Sequence, residues 1–127
     1  MLTDRIKDHM VRPRNRGEME RPDGVGEVVG AVCGDAVTVY VRVSEGRVRE
    51  VKFTTYGCWA AIAIGSLISE VAVGQSLEAA LRIDGRRLAL EVAGLPEDKI
   101  PCSELVAAAL HKAVRACLLR RASTETG

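Results

Sequence analysis

Residues 37–56 read VTVYVRVSEGRVREVKFTTY. Valines at 37, 39, 41 and 43 alternate with Thr38, Tyr40 and Arg42. A period of two sends successive side chains to opposite faces, so this stretch predicts a strand with one face in the core. Ser44-Glu45-Gly46-Arg47 supplies a hairpin turn with a glycine available for positive φ, and Val48 to Tyr56 returns as the next strand. Upstream, Val25 to Val32 reads as a further strand, loosened by Gly26 and Gly30. It connects through Cys33-Gly34-Asp35, residue types that suit a turn. Three consecutive strands joined by tight turns make an antiparallel meander.

On either side of the meander the period is helical. Thr3 is placed to cap a short helix over residues 3–10, which Pro13 limits. Residues 12–24, rich in Arg, Pro, Gly and Glu, read as a surface loop, with Arg12, Arg14 and Arg16 solvated. Ala60 to Val73 predicts an almost wholly apolar helix ending at Gly74. Ser76 and Asp84 are caps for short helices over 77–82 and 85–92. After Gly94-Leu95-Pro96, a long helix runs from about Cys102 to Arg121 with the apolar stripe Val106, Ala109, Leu110, Ala113, Val114, Cys117 and Leu118. Residues 122–127 read as a flexible tail. Strands first and helices afterwards indicate an α+β fold, with helices packed mainly on one face of a small antiparallel sheet.

The chain has 127 residues, which suits one domain spanning 1–127. Hydrophobic residues make up 47% and aromatics only 3%, so the core is aliphatic. A net charge of +1 with 28% charged residues gives no electrostatic case for nucleic acid or an anionic membrane. No apolar run approaches the ~20 residues needed to span a bilayer. MLTDRIKDH at the start has no apolar h-region, so the expected location is cytoplasmic. In a reducing compartment the four cysteines are metal-binding, catalytic or buried rather than disulfide-bonded.

Three of those cysteines sit at element edges. Cys33 lies in a turn, Cys58 at a strand-to-helix junction and Cys102 at the start of the last helix. A helix start favours thiolate, so Cys102 is expected to be exposed and activated. Thiolate ligands and small buried hydrophobes are both open readings for these three; Cys117, in mid-stripe, reads as core. Asp35 is either an ordinary turn aspartate or part of a site. His9, near the end of the first helix, reads as a dipole-compensating residue rather than a ligand. His111 follows Cys102 in the same predicted helix, about 13 Å along its axis, and reads as a surface residue.

Taken together, His9-x-x-x-Pro13-Arg14-Asn15-x-Gly17, Cys33-Gly34-Asp35, Thr55-Tyr56-Gly57-Cys58 and the late Cys102 occur in one order. The chain thereby resembles the IscU type of iron–sulfur scaffold, also found as the N-terminal domain of NifU, over residues 3–120. The resemblance implies a three-stranded antiparallel sheet with helices (the SufE/NifU-like fold) and no enzymatic reaction of its own. It implies assembly of a [2Fe–2S] cluster from iron and from sulfur delivered by a pyridoxal-phosphate-dependent cysteine desulfurase of the IscS/NifS type, with transfer to recipient apo-proteins. The ligands it implies are Cys33, Cys58 and Cys102. Asp35 keeps the cluster labile, and Cys102 is the persulfide acceptor.

Two positions depart from the family pattern. Pro101 replaces a ligand histidine before the last cysteine, which leaves the fourth position to Asp35, to a thiolate across a cluster-bridged homodimer, or to a small thiol. Leu95-Pro96-Glu97-Asp98-Lys99 replaces the LPPVK segment read by a dedicated chaperone. The alternative reading is a SufU-type sulfur acceptor that holds zinc at the same residues, zinc then being the resting metal. The missing histidine favours it. The short step from Cys58 to Cys102, with no room for the usual SufU insertion, disfavours it.

Overall fold

In the computed structural model, residues 1–30, 35–57 and 59–126 are described, the side chains as far as Arg120. Helix α1 (Asp4–Val11) leads to strands β1 (Gly24–Val29), β2 (Ala36–Ser44) and β3 (Arg47–Tyr56). Then come α2 (Trp59–Ala72), α3 (Leu77–Ala80) and α4 (Gly85–Arg87). Helix α4 continues as a π-helical turn, Leu88–Ala93, and a 3₁₀ turn, Glu97–Lys99, leads into α5 (Ile100–Thr126). The sheet order is β1-β2-β3, antiparallel throughout.

The valine alternation is realised as expected: Val37, Val39 and Val41 are buried while Thr38, Tyr40 and Arg42 are half-buried on the opposite face. The turn carries positive φ at both central residues, 54° at Glu45 and 74° at Gly46, the backbone of a type I′ hairpin. Helix α5 covers β1 and β2, and α2 covers β3 on the same face. Helix α2 is apolar nearly all round because it is enclosed by the sheet, α1 and α5.

Several boundaries differ from the sequence reading. Gly26 does not merely loosen β1: with Gly24 it lets α5 approach. A side chain at either would overlap a carbonyl of α5, that of Ala113 or Ala109. The segment 85–92 is α-helical only to Arg87, then π-helical, and ends at Gly94 in the left-handed region. Helix α5 begins two residues earlier than expected, which puts Pro101 in its first turn, where a missing N–H costs nothing. Its backbone stays helical through 122–126, where the sequence reads as a tail. Residues 31–34 and 58, including the Cys33-Gly34 turn and Cys58, lie outside the described residues.

Candidate functional site

The site is built at the open end of the β2–β3 ladder. The last pair is Ala36 with Tyr56, so Asp35 and Gly57 come next on the two strands. The Gly30 N–H donates to the Asp35 carbonyl at 2.7 Å, which continues the β1–β2 pairing and fixes the Asp35 backbone. The Asp35 side chain turns inward and is 3% exposed. It occupies the space a Gly57 side chain would fill: a Cβ there would overlap Asp35 Oδ1 and Cγ. From this seat Oδ2 accepts a hydrogen bond from Cys102 Sγ at 3.4 Å, joining residues 67 positions apart.

Cys102 lies in the first turn of α5, as the sequence predicts, but it is buried, at 2% exposure. The expectation of an exposed thiol is corrected: the Asp35 carboxyl lies against the thiol at the helix start. Asp35 is likewise no ordinary turn residue, since turn aspartates bond their own backbone in solvent, whereas this one reaches into the interior. Cys33 and Cys58 lie outside the described residues; in sequence they stand two residues before Asp35 and directly after Gly57. Among the described residues no three His, Cys, Asp or Glu side chains converge as a metal-holding group. Cys117 is buried in the α5 stripe, and burial pushes its thiol up to about 11, fitting the core reading.

His9 corrects a second expectation. It is 3% exposed and is not a solvent-facing companion of the α1 dipole. Its Nδ1 lies 2.6 Å from Ser66 Oγ and 3.2 Å from Arg14 Nη1, and its Nε2 lies 3.1 Å from Glu70 Oε1. Arginine only donates, so Nδ1 accepts and Nε2 carries the proton that faces Glu70. Ser66 Oγ also accepts the Arg14 N–H at 2.8 Å, and Asn15 Nδ2 donates to Ser69 Oγ at 2.8 Å. Arg14, expected to be solvated, pairs with Asp8 and Glu70. Asn15 and Gly17 then pair with Phe53 along the free edge of β3. The His9–Gly17 motif is thus a clasp that holds α1 and the following loop to α2 and β3. Two serines and a glutamate in an otherwise apolar helix were the sequence signal for it. His111 is half-buried, its Nε2 2.9 Å from the Ile83 carbonyl, rather than a free surface residue.

Burial depresses the proton affinity of His9, with Glu70 opposing. The folded chain then binds fewer protons than the unfolded one. This stabilisation is complete above the ordinary value of 6.5 and is lost as pH falls through and below it. The urea midpoint is expected to drop between about pH 7 and 5. His9→Gln should flatten that slope in part, because His111 is shifted the same way. Ser66→Ala, which strands the His9 and Arg14 partners, should cost about 1–3 kcal/mol at pH 7. An unchanged midpoint in Ser66→Ala would show that the clasp contributes nothing.

The family model described as NifU-like N terminal domain matches residues 1–124. The chain belongs to the NifU-like N-terminal domain family. Within it, the chain is 45% identical over 114 residues to iron–sulfur cluster assembly scaffold protein IscU 1 of Archaeoglobus fulgidus, covering 90% of this chain and 74% of that protein. It is 41% identical over 117 residues to IscU of Azotobacter vinelandii, which is also named an assembly scaffold protein. That match covers 89% of this chain and 91% of the relative. A crystal structure from Fervidobacterium islandicum, described as a candidate scaffold for the SUF system, superposes with a TM-score of 0.69. It covers 88% of this chain and 95% of that one, and at 20% identity it supports the shared fold alone. The α+β expectation, with its three-stranded antiparallel sheet, therefore holds. No helix among the described residues is long and apolar enough to cross a membrane.

Proposed function

We propose that this chain is a scaffold on which a [2Fe–2S] cluster is assembled and from which it is passed on. The observation that carries the reading is the contact of Asp35 Oδ2 with Cys102 Sγ, a buried carboxyl set against a buried thiol at the end of the sheet. The relatives' names as assembly scaffolds support the same class of function. The ligands proposed are Cys33, Cys58 and Cys102: soft thiolates that match iron in a sulfide cluster. Pro101 has no donor, so no imidazole from that position enters the set. Asp35, a hard donor beside one of the thiols, weakens the hold on the cluster. A carrier must release its cargo, and three thiolates beside a competing carboxyl release it more readily than four thiolates.

Sulfur is proposed to arrive as persulfide on Cys102 from a pyridoxal-phosphate-dependent cysteine desulfurase, to be reduced to sulfide by an external two-electron donor such as a dithiol, and the loaded cluster to leave for recipient apo-proteins. The donor set also accommodates zinc, which makes zinc-dependent sulfur acceptance the competing outcome. The test is transfer. The loaded chain is mixed with an apo-ferredoxin under a chelator that traps free iron, and the ferredoxin's cluster signal is followed. Transfer faster than from free iron and sulfide at equal concentration is expected. A colourless, zinc-loaded chain, or no transfer beyond the free-ion rate, contradicts the scaffold reading.

A further inference from the structure

Three features meet at the sheet end: a buried carboxyl, a buried thiol and a glycine with no side chain in the way. Asp35 cannot shift through its backbone without breaking the 2.7 Å Gly30–Asp35 hydrogen bond and the Ala36–Tyr56 pairing. Gly57 beside it is exposed, so a rotation of the side chain toward that residue carries the carboxyl toward solvent. Gly57 holds φ at +145°, a region side chains rarely adopt, and its missing Cβ is the space Asp35 Oδ1 occupies.

We propose that the Asp35 side chain, seated over Gly57, is a latch that closes Cys102 off from solvent, and that Gly57 is the positioning residue that makes the latch fit. Loading then requires the carboxyl to rotate off its seat, and unloading lets it return to Cys102. The purpose of the latch rests on the scaffold reading above, but its existence does not. It is a side-chain motion with a fixed backbone, so it changes the access of one thiol without unfolding the sheet. A buried cysteine reacts only through such an opening or through global unfolding, and Cys117, 1% exposed in the core, reports the latter in the same molecule.

The experiment alkylates the metal-free full-length chain with iodoacetamide and measures the rate at each cysteine by peptide mass mapping. The quantity read is the ratio of the Cys102 rate to the Cys117 rate. Asp35→Gly should raise that ratio about tenfold or more, the factor carried by one hydrogen bond to a charged or buried group. Gly57→Ala should raise it in the same direction by displacing the carboxyl. In the Asp35→Gly/Gly57→Ala double variant the ratio should be no higher than in Asp35→Gly alone. A ratio within twofold of wild type in Asp35→Gly overturns the latch. An equal effect of Gly57→Ala with and without Asp35 traces it to backbone strain and overturns the positioning role. If Gly57→Ala speeds both cysteines together, the chain has opened globally, and the seat is likewise refuted. Iron and sulfide content, measured separately, tests the scaffold reading: a latched chain that never takes a cluster would sink that reading and leave the latch standing.

Discussion

Serine at position 33, 58 or 102 is expected to abolish stable cluster loading, whereas Cys117→Ser is expected to retain it. Exchanging a thiolate for a hydroxyl removes a soft, charged ligand and leaves a hard, neutral one. Even loss of a partner outside the ligand set typically weakens a metal site tenfold or more, so each ligand variant should lose at least about tenfold in iron and sulfide retained after desalting. Cys117→Ser should instead show its effect in stability, about 1–3 kcal/mol, because it buries a hydroxyl among the apolar residues of α5 and β1. Anaerobic reconstitution of each variant, with circular dichroism to verify the fold, measures both. Full retention in Cys58→Ser, or loss in Cys117→Ser with the fold intact, would refute the ligand assignment.

Asp35→Ala should slow cluster loss even though it removes a potential ligand. The carboxyl lies 3.4 Å from Cys102 Sγ and competes with that thiolate for iron each time a ligand bond opens. Removing it takes away the competitor and leaves the pocket more apolar and less hydrated. Decay of the cluster absorbance under a chelator should slow by about five- to tenfold, equivalent to about 1–1.4 kcal/mol. A thiolate from a second copy could then complete the coordination, and size-exclusion chromatography should show a loaded dimer. Faster decay in the variant would make Asp35 a stabilising ligand, and an unchanged rate would leave it outside the chemistry.

Much of the fold was legible because its determinants are local. The valine alternation at 37–43 placed β2, the Glu45-Gly46 pair placed the hairpin, and Thr3, Ser76 and Asp84 each cap the helix they announce. Contacts that depend on three-dimensional closure were not legible. Gly26 read as a weak strand residue and Gly24 as the end of a loop until α5 lay across them. His9 read as a helix-end residue because its partners, Ser66 and Glu70, belong to a helix far along the chain. Within the site, residue types and order suggested Cys102 and Asp35, but not that they touch or that both are buried. The role of Gly57 needed the strand register: once Ala36 pairs with Tyr56, Asp35 must meet residue 57, and only a residue without a side chain leaves it room.

The most direct test of the central claim is the metal and sulfide content of the wild-type chain after anaerobic reconstitution with ferrous iron, cysteine, a cysteine desulfurase and a dithiol that reduces the persulfide sulfur to sulfide. The prediction is visible sulfur-to-iron absorption with iron and acid-labile sulfide in equal amounts, both lost on Cys102→Ser. A colourless chain holding zinc without sulfide, or one holding neither metal nor sulfide, would contradict it.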